Sequence, residues 1–138
     1  GAGVEISTSP GYMPSKFSEE LNKIYDESVV ELIGESALGR MPQRTSSTDM
    51  GDVSAIMPAM QSYAGGASGR THSNEFEITD WNLDVVVAGK ALALTAISLL
   101  SDEAKRGRKI VDEFEAPFTI AGYLSALREF RQSQSWSD

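Results

Sequence analysis

The chain has 138 residues, a length that suits one domain. It carries 12 Lys and Arg against 20 Asp and Glu, a net charge of −8, which argues against nucleic-acid binding and against attraction to anionic membrane surfaces. With 41% hydrophobic and 23% charged residues it is not a disordered polymer, and with no cysteine it has neither disulfides nor thiolate metal ligands. The start, Gly1-Ala2-Gly3, has no methionine and no apolar signal core behind it. It reads as a cut, and the expectation is a piece of something larger.

Residues 4–14 alternate weakly and then meet Pro10-Gly11 and Pro14, which predicts a short extended segment running into a loop. Ser18, followed by Glu19 and Glu20, is a good start for a helix, because a hydroxyl caps free N–H groups and acids suit the positive end of the helix dipole. Leu21, Ile24, Tyr25, Val29, Leu32 and Ile33 recur at helical spacing, so the helix runs over 18–33 and Gly34 ends it. Residues 41–45 suggest a short strand. The run 53–63 has strand-like apolar content, with Pro58 making it an edge strand or two pieces. Residues 64–75 hold three glycines and the single histidine, His72, and predict a loop; 76–78 predicts a brief strand. The stretch 84–100 is apolar nearly all round, which predicts a buried helix; it is too short to be a comfortable membrane span and holds Lys90. Ser101 is placed to cap a helix over 102–115, which Pro117 stops, and a last amphipathic helix follows over 122–131. The polar end, 132–138, predicts a frayed tail.

Three features bear on chemistry. The Gly-rich loop is no phosphate-binding loop: no glycine stands five residues before Gly69, and Arg70 follows where lysine is needed. His72 lies in a polar loop before a strong helix, but a zinc site takes three or four ligands, and no second histidine exists here. The string Ser47-Thr48-Asp49-Met50-Gly51-Asp52-Val53-Ser54 is rich in short hydrogen-bonding side chains. Such a string either satisfies its own backbone in a turn or orients a ligand through Asp49 or Asp52.

Taken together and in order, the Ser46–Ser54 string, Pro58, Gly65-Gly66, Thr71-His72-Ser73 and Phe76 resemble the C-terminal catalytic segment of metal-dependent amidohydrolases of the aminoacylase and carboxypeptidase-G type. The nearest branch is the p-aminobenzoyl-glutamate hydrolases and related dipeptidases. Gly89 to Ala96 resembles the helix that follows the family's histidine loop, and Gly11-Tyr12-Met13-Pro14 resembles the return from its lid domain. The likeness spans about residues 10–116.

The resemblance implies an α/β fold, a partial three-layer zinc-exopeptidase-like catalytic domain, with few strands flanked by about four helices. Residues 1–10 would end the lid domain and 11–131 would form the second half of the catalytic domain. It implies a cytoplasmic enzyme that uses a pair of divalent metals, zinc or else manganese or cobalt, to activate water against the amide bond of an N-acyl or N-aroyl amino acid or a dipeptide. His72 matches the last metal-ligating histidine. Asp49, Asp52, Ser47, Thr48 and Gly66 match substrate-binding or supporting positions. The other ligands and the catalytic glutamate would lie in the missing N-terminal half, so no catalytic residue falls within this segment and the isolated chain is expected to be inactive. The implied partners are that missing half with its lid domain, the small substrate and further copies in a homo-oligomer, with no nucleic acid and no membrane. Two other readings stand beside it: an acidic α/β protein-interaction module without catalysis, and the small subunit of a two-subunit hydrolase.

Overall fold

Ser18 caps the first long helix as its sequence predicts. In the computed structural model, which describes residues 1–39 and 46–137, its Oγ accepts a hydrogen bond from the Leu21 N–H at 3.3 Å. Helix α1 then spans Glu19–Ile33, after a short strand β1 over Val4–Thr8. The chain continues through a 3₁₀ turn, Glu35–Ala37, and a short helix α2, Met50–Ser54. Strands β2 (Ala67–Ser68) and β3 (Glu77–Ile78) pair antiparallel, with Ala67 opposite Ile78. A π-helical turn, Asn82–Val87, leads into the longest helix, α3, Ala88–Glu113. Helix α4 spans Ile120–Phe130, capped by Thr119, and strand β4 spans Gln132–Trp136. The described residues thus form a mixed α/β arrangement of four helices and two small two-stranded antiparallel sheets.

The packing seam lies between α1 and α3. Ile24 and Ser28 of α1 meet the side of α3 that carries Ala91 and Thr95, and all four are buried. Small residues there let the helices approach closely. The Ser28 and Thr95 hydroxyls lie 3.3 Å apart, and each also reaches the carbonyl four residues back in its own helix, Ile24 at 2.9 Å and Ala91 at 2.8 Å. Each hydroxyl has one proton, so two of these three contacts are hydrogen bonds at any moment. At the end of the seam Arg106 donates to Glu27 at 2.8 Å and to Ser98 Oγ at 2.9 Å.

Several expectations change. The predicted strand over 53–63 is absent: α2 and the turn after it keep their hydrogen bonds local, Ala55 N–H to Gly51 O and Met57 N–H to Val53 O, which leaves no ladder to offer a neighbour. The helix expected over 84–100 exists, but it is not buried all round. Only the side against α1 is covered, and Leu92, Ile97 and Leu100 are 51%, 60% and 72% exposed. The boundary expected at 101–102 is present, but Ser101 makes no capping bond; its Oγ donates back to Ile97 O. The two helical stretches of α3 meet at a corner of three left-handed residues, Asp102, Glu103 and Ala104, with φ of 51°, 55° and 58°. Gln132–Trp136, where the sequence suggests a frayed tail, pairs with β1, Val4 opposite Trp136 and Thr8 opposite Gln132. The strand predicted over 41–45 lies outside the described residues.

The surface left to solvent is large. It amounts to 10478 Å², where a compact chain of 14.9 kDa exposes about 7,000 Å². Among the described residues the buried hydrophobic ones are Ile24, Ala55, Ala59, Val87, Ala91 and Ile110. By length and composition the helical stretch Asn82–Glu113 would suffice to cross a membrane, and its most apolar window is only 17% buried.

Candidate functional site

The acidic string folds as a clamp. Thr48 Oγ1 accepts from the Met50 N–H at 3.3 Å, starting α2, and lies 3.4 Å from Asp49 Oδ1. Asp52 Oδ1 accepts from the Met13 N–H at 2.9 Å. Ser54, fully buried, accepts from the Lys16 N–H through its Oγ at 2.9 Å and donates to Gly51 O at 2.9 Å. Gly51 allows this approach, because a Cβ there would overlap the Met13 carbonyl oxygen. Two more backbone bonds join the same hub: Ser18 N–H to Ala59 O at 2.8 Å and Phe118 N–H to Ala55 O at 3.0 Å. The α2 region therefore ties the segment before α1 to the segment before α4. Sequence reasoning missed Ser54, Lys16 and Tyr123 in this hub; the alternation of short polar residues at 52 and 54 was the available signal.

Tyr123 of α4 faces Asp52. Burial, and then the charge and hydrogen bonding of Asp52, raise its phenol above the ordinary value of 10.0. Lys16 donates from Nζ to Glu115 O at 2.7 Å and lies 5.6 Å from the centre of the Phe114 ring, a cation–π distance.

The Gly-rich loop is built on Gly66. With φ of 94° its carbonyl accepts from Thr79 N–H, Thr79 Oγ1 and Asp80 N–H, and a Cβ would lie 2.6 Å from Asp80 O. The glycine closes the loop. His72 sits beyond β2, exposed, with a left-handed backbone at φ 61°. Ser73 folds the same turn through Arg70 O at 2.7 Å and the Glu75 N–H at 3.2 Å.

Asp52 and Thr48 thus serve the clamp, Gly66 the loop, and Ser47, Asp49 and His72 are exposed. Among the described residues no three His, Asp or Glu side chains are grouped to hold a metal ion. A concavity of about 790 Å³ lies elsewhere, walled by Phe17, Tyr25, Val29, Tyr63 and Leu83 with Asp26 as a charged group on its lining. Of the sequence candidates only Thr48 reaches it. No family model, curated protein or solved structure matches the chain.

Proposed function

We propose that this chain is the second catalytic stretch of a metal-dependent amidohydrolase acting on N-acyl or N-aroyl amino acids or dipeptides, and that it is inactive alone. The observation that carries the proposal is the ordered pair of loops, Ser47 to Ser54 and Thr71-His72-Ser73. The fold adds support, since α1, α3 and the short strands leave apolar surface of the kind that a second half of a three-layer unit would cover. His72 by itself does not make a metal site. Zinc takes three or four protein ligands, and His72 has no grouped partners among the described residues. Its proposed part is one imidazole ligand, held out on an exposed turn, in a site completed by the other stretch of chain.

The test is the reading frame upstream of Gly1, followed by co-expression of what it encodes. The expected result is an upstream frame supplying further His, Asp and Glu, a complex that retains zinc, and loss of that zinc in His72→Ala. An initiator codon beside Gly1, or amidohydrolase activity in the 138-residue chain alone, overturns the proposal. The non-catalytic interaction module remains as a second reading because the outer face of α3 is apolar and uncovered. It is favoured if the 138-residue chain is a complete gene product.

A further inference from the structure

Residues 101–104 stand in a conformation that their own sequence does not favour. Asp102, Glu103 and Ala104 are left-handed, none is glycine, and Ser101 before them is extended at ψ 162°. Yet the run Ser101-Asp102-Glu103-Ala104-Lys105-Arg106 holds no glycine, proline or β-branched residue, and Ala, Glu, Lys and Arg are good helix formers. In a right-handed helix Asp102 and Arg106 would also face one another four residues apart, a favourable pair. We propose that α3 is a two-state hinge, bent at 102–104 while the chain beyond the corner is tied down, and straight as one right-handed helix over Ala88–Glu113 once those ties are lost. The hinge is a property of α3 and its neighbours alone and is independent of the amidohydrolase reading.

The ties are specific. Arg106, just past the corner, donates to Glu27 Oε2 of α1 at 2.8 Å and to Ser98 Oγ, just before the corner, at 2.9 Å. Ile110 is buried. Lys16 Nζ reaches Glu115 O at 2.7 Å, and the Phe118 N–H bonds to Ala55 O at 3.0 Å. The stretch before the corner is packed on α1 through Ala91 and Thr95, so both ends are fixed and the three residues between them take up the change of direction. Gly107 lets the bend close. Along a straight helix Leu99 and Gly107 would stand about 12 Å apart, but here a Cβ on Gly107 would lie 2.9 Å from Leu99 O. The bent form therefore requires glycine at 107, and the straight form does not. Local preference and tertiary contacts pull in opposite directions at one place, which is the condition for a bistable element. Straightening takes residues 105–113 away from α1, exposes Ile110 and pulls the lead into α4 off the α2 hub.

The full chain has no cysteine, so spin labels on Lys90→Cys and Asp112→Cys, both exposed positions, read the two states by electron-electron distance. The straight helix separates the two Cα atoms by about 33 Å, and the bent form holds them closer. Two substitutions push in opposite directions. Gly107→Ala obstructs the bend and suits a right-handed helix. It is expected to turn the population at about 33 Å from minor to major, with the far-ultraviolet helix signal kept or raised. Ala104→Gly, added to Gly107→Ala, relieves the left-handed backbone and is expected to return part of that population to the shorter distance. The hinge is overturned if Gly107→Ala keeps the short distance alone, or if it loses helix signal and so unfolds instead of straightening. A labelled chain without either substitution that already centres on about 33 Å overturns it as well.

Discussion

Ser54 Oγ stands 2.9 Å from the Lys16 backbone nitrogen, across 38 residues of chain, and the hydroxyl is fully buried. It accepts from Lys16 and donates to Gly51 O, so both of its hydrogen-bonding capacities are used. Ser54→Ala leaves the Lys16 N–H without this partner in a part-buried place, while the Gly51 carbonyl keeps its bond from the Ala55 N–H. The expected loss is about 1–3 kcal/mol of unfolding free energy. Urea unfolding followed by circular dichroism checks it, and a loss equal to that of the exposed Ser47→Ala would sink the clamp.

Tyr123 gives the clamp a pH dependence. Its phenol is raised above 10.0, first by burial and then by Asp52. Folding therefore favours the neutral phenol. The stability it contributes is present in full below pH 10 and is lost as pH rises through the higher, folded-state value. Absorbance at 295 nm is expected to show one of the four tyrosines titrating late. Asp52→Asn should bring that step part of the way back, not wholly, because burial remains the first cause. A single unshifted transition for all four counts against the contact.

Gly51 is predicted to be the least replaceable glycine of the hub. A Cβ there would overlap the Met13 carbonyl, which is backbone and has no rotamer to change. Gly51→Ala must therefore push the 13–16 segment off α2 and break the Met13–Asp52 and Lys16–Ser54 hydrogen bonds. A loss above about 3 kcal/mol is expected, in the range of a broken buried network. Gly89→Ala, where nothing lies within 4 Å and the residue is helical, is the matched control and should be neutral or stabilising.

Local signals were legible and long-range ones were not. The Ser18 cap and the 3.6-residue spacing set α1 within one residue of its expected start, because a cap and a face are properties of neighbours in sequence. The strand over 53–63 failed for the opposite reason. Ser54 is buried by a partner 38 residues away, and no periodicity reports that. The tail at 132–136 looked free because its partner is at the other end of the chain. The apolar run at 84–100 was read as buried from composition alone, although composition shows only that a face wants cover, not that this chain supplies it. As for the site, Asp52 and Ser54 of the acidic string hold the backbone of the 13–16 segment, a role that spacing alone does not reveal.

The corner in α3 falls where the sequence places a boundary between two helices. Asp102, Glu103 and Ala104 all take left-handed backbone, and none is glycine. Each such residue costs about 1–2 kcal/mol against its right-handed conformation, a penalty that glycine lacks. Arg106 holds the corner from beyond, by its bonds to Glu27 and Ser98. Ala104→Gly is therefore expected to stabilise the chain by about 1 kcal/mol, even though glycine inside an ordinary helix destabilises by a similar amount. Arg106→Ala should weaken the corner, with Ala104→Gly recovering part of the loss. Thermal unfolding of the two single variants and the double variant gives the answer. If Ala104→Gly lowers the melting temperature as Ala96→Gly is expected to, residues 101–104 run as a continuous right-handed helix in solution and the corner is not there.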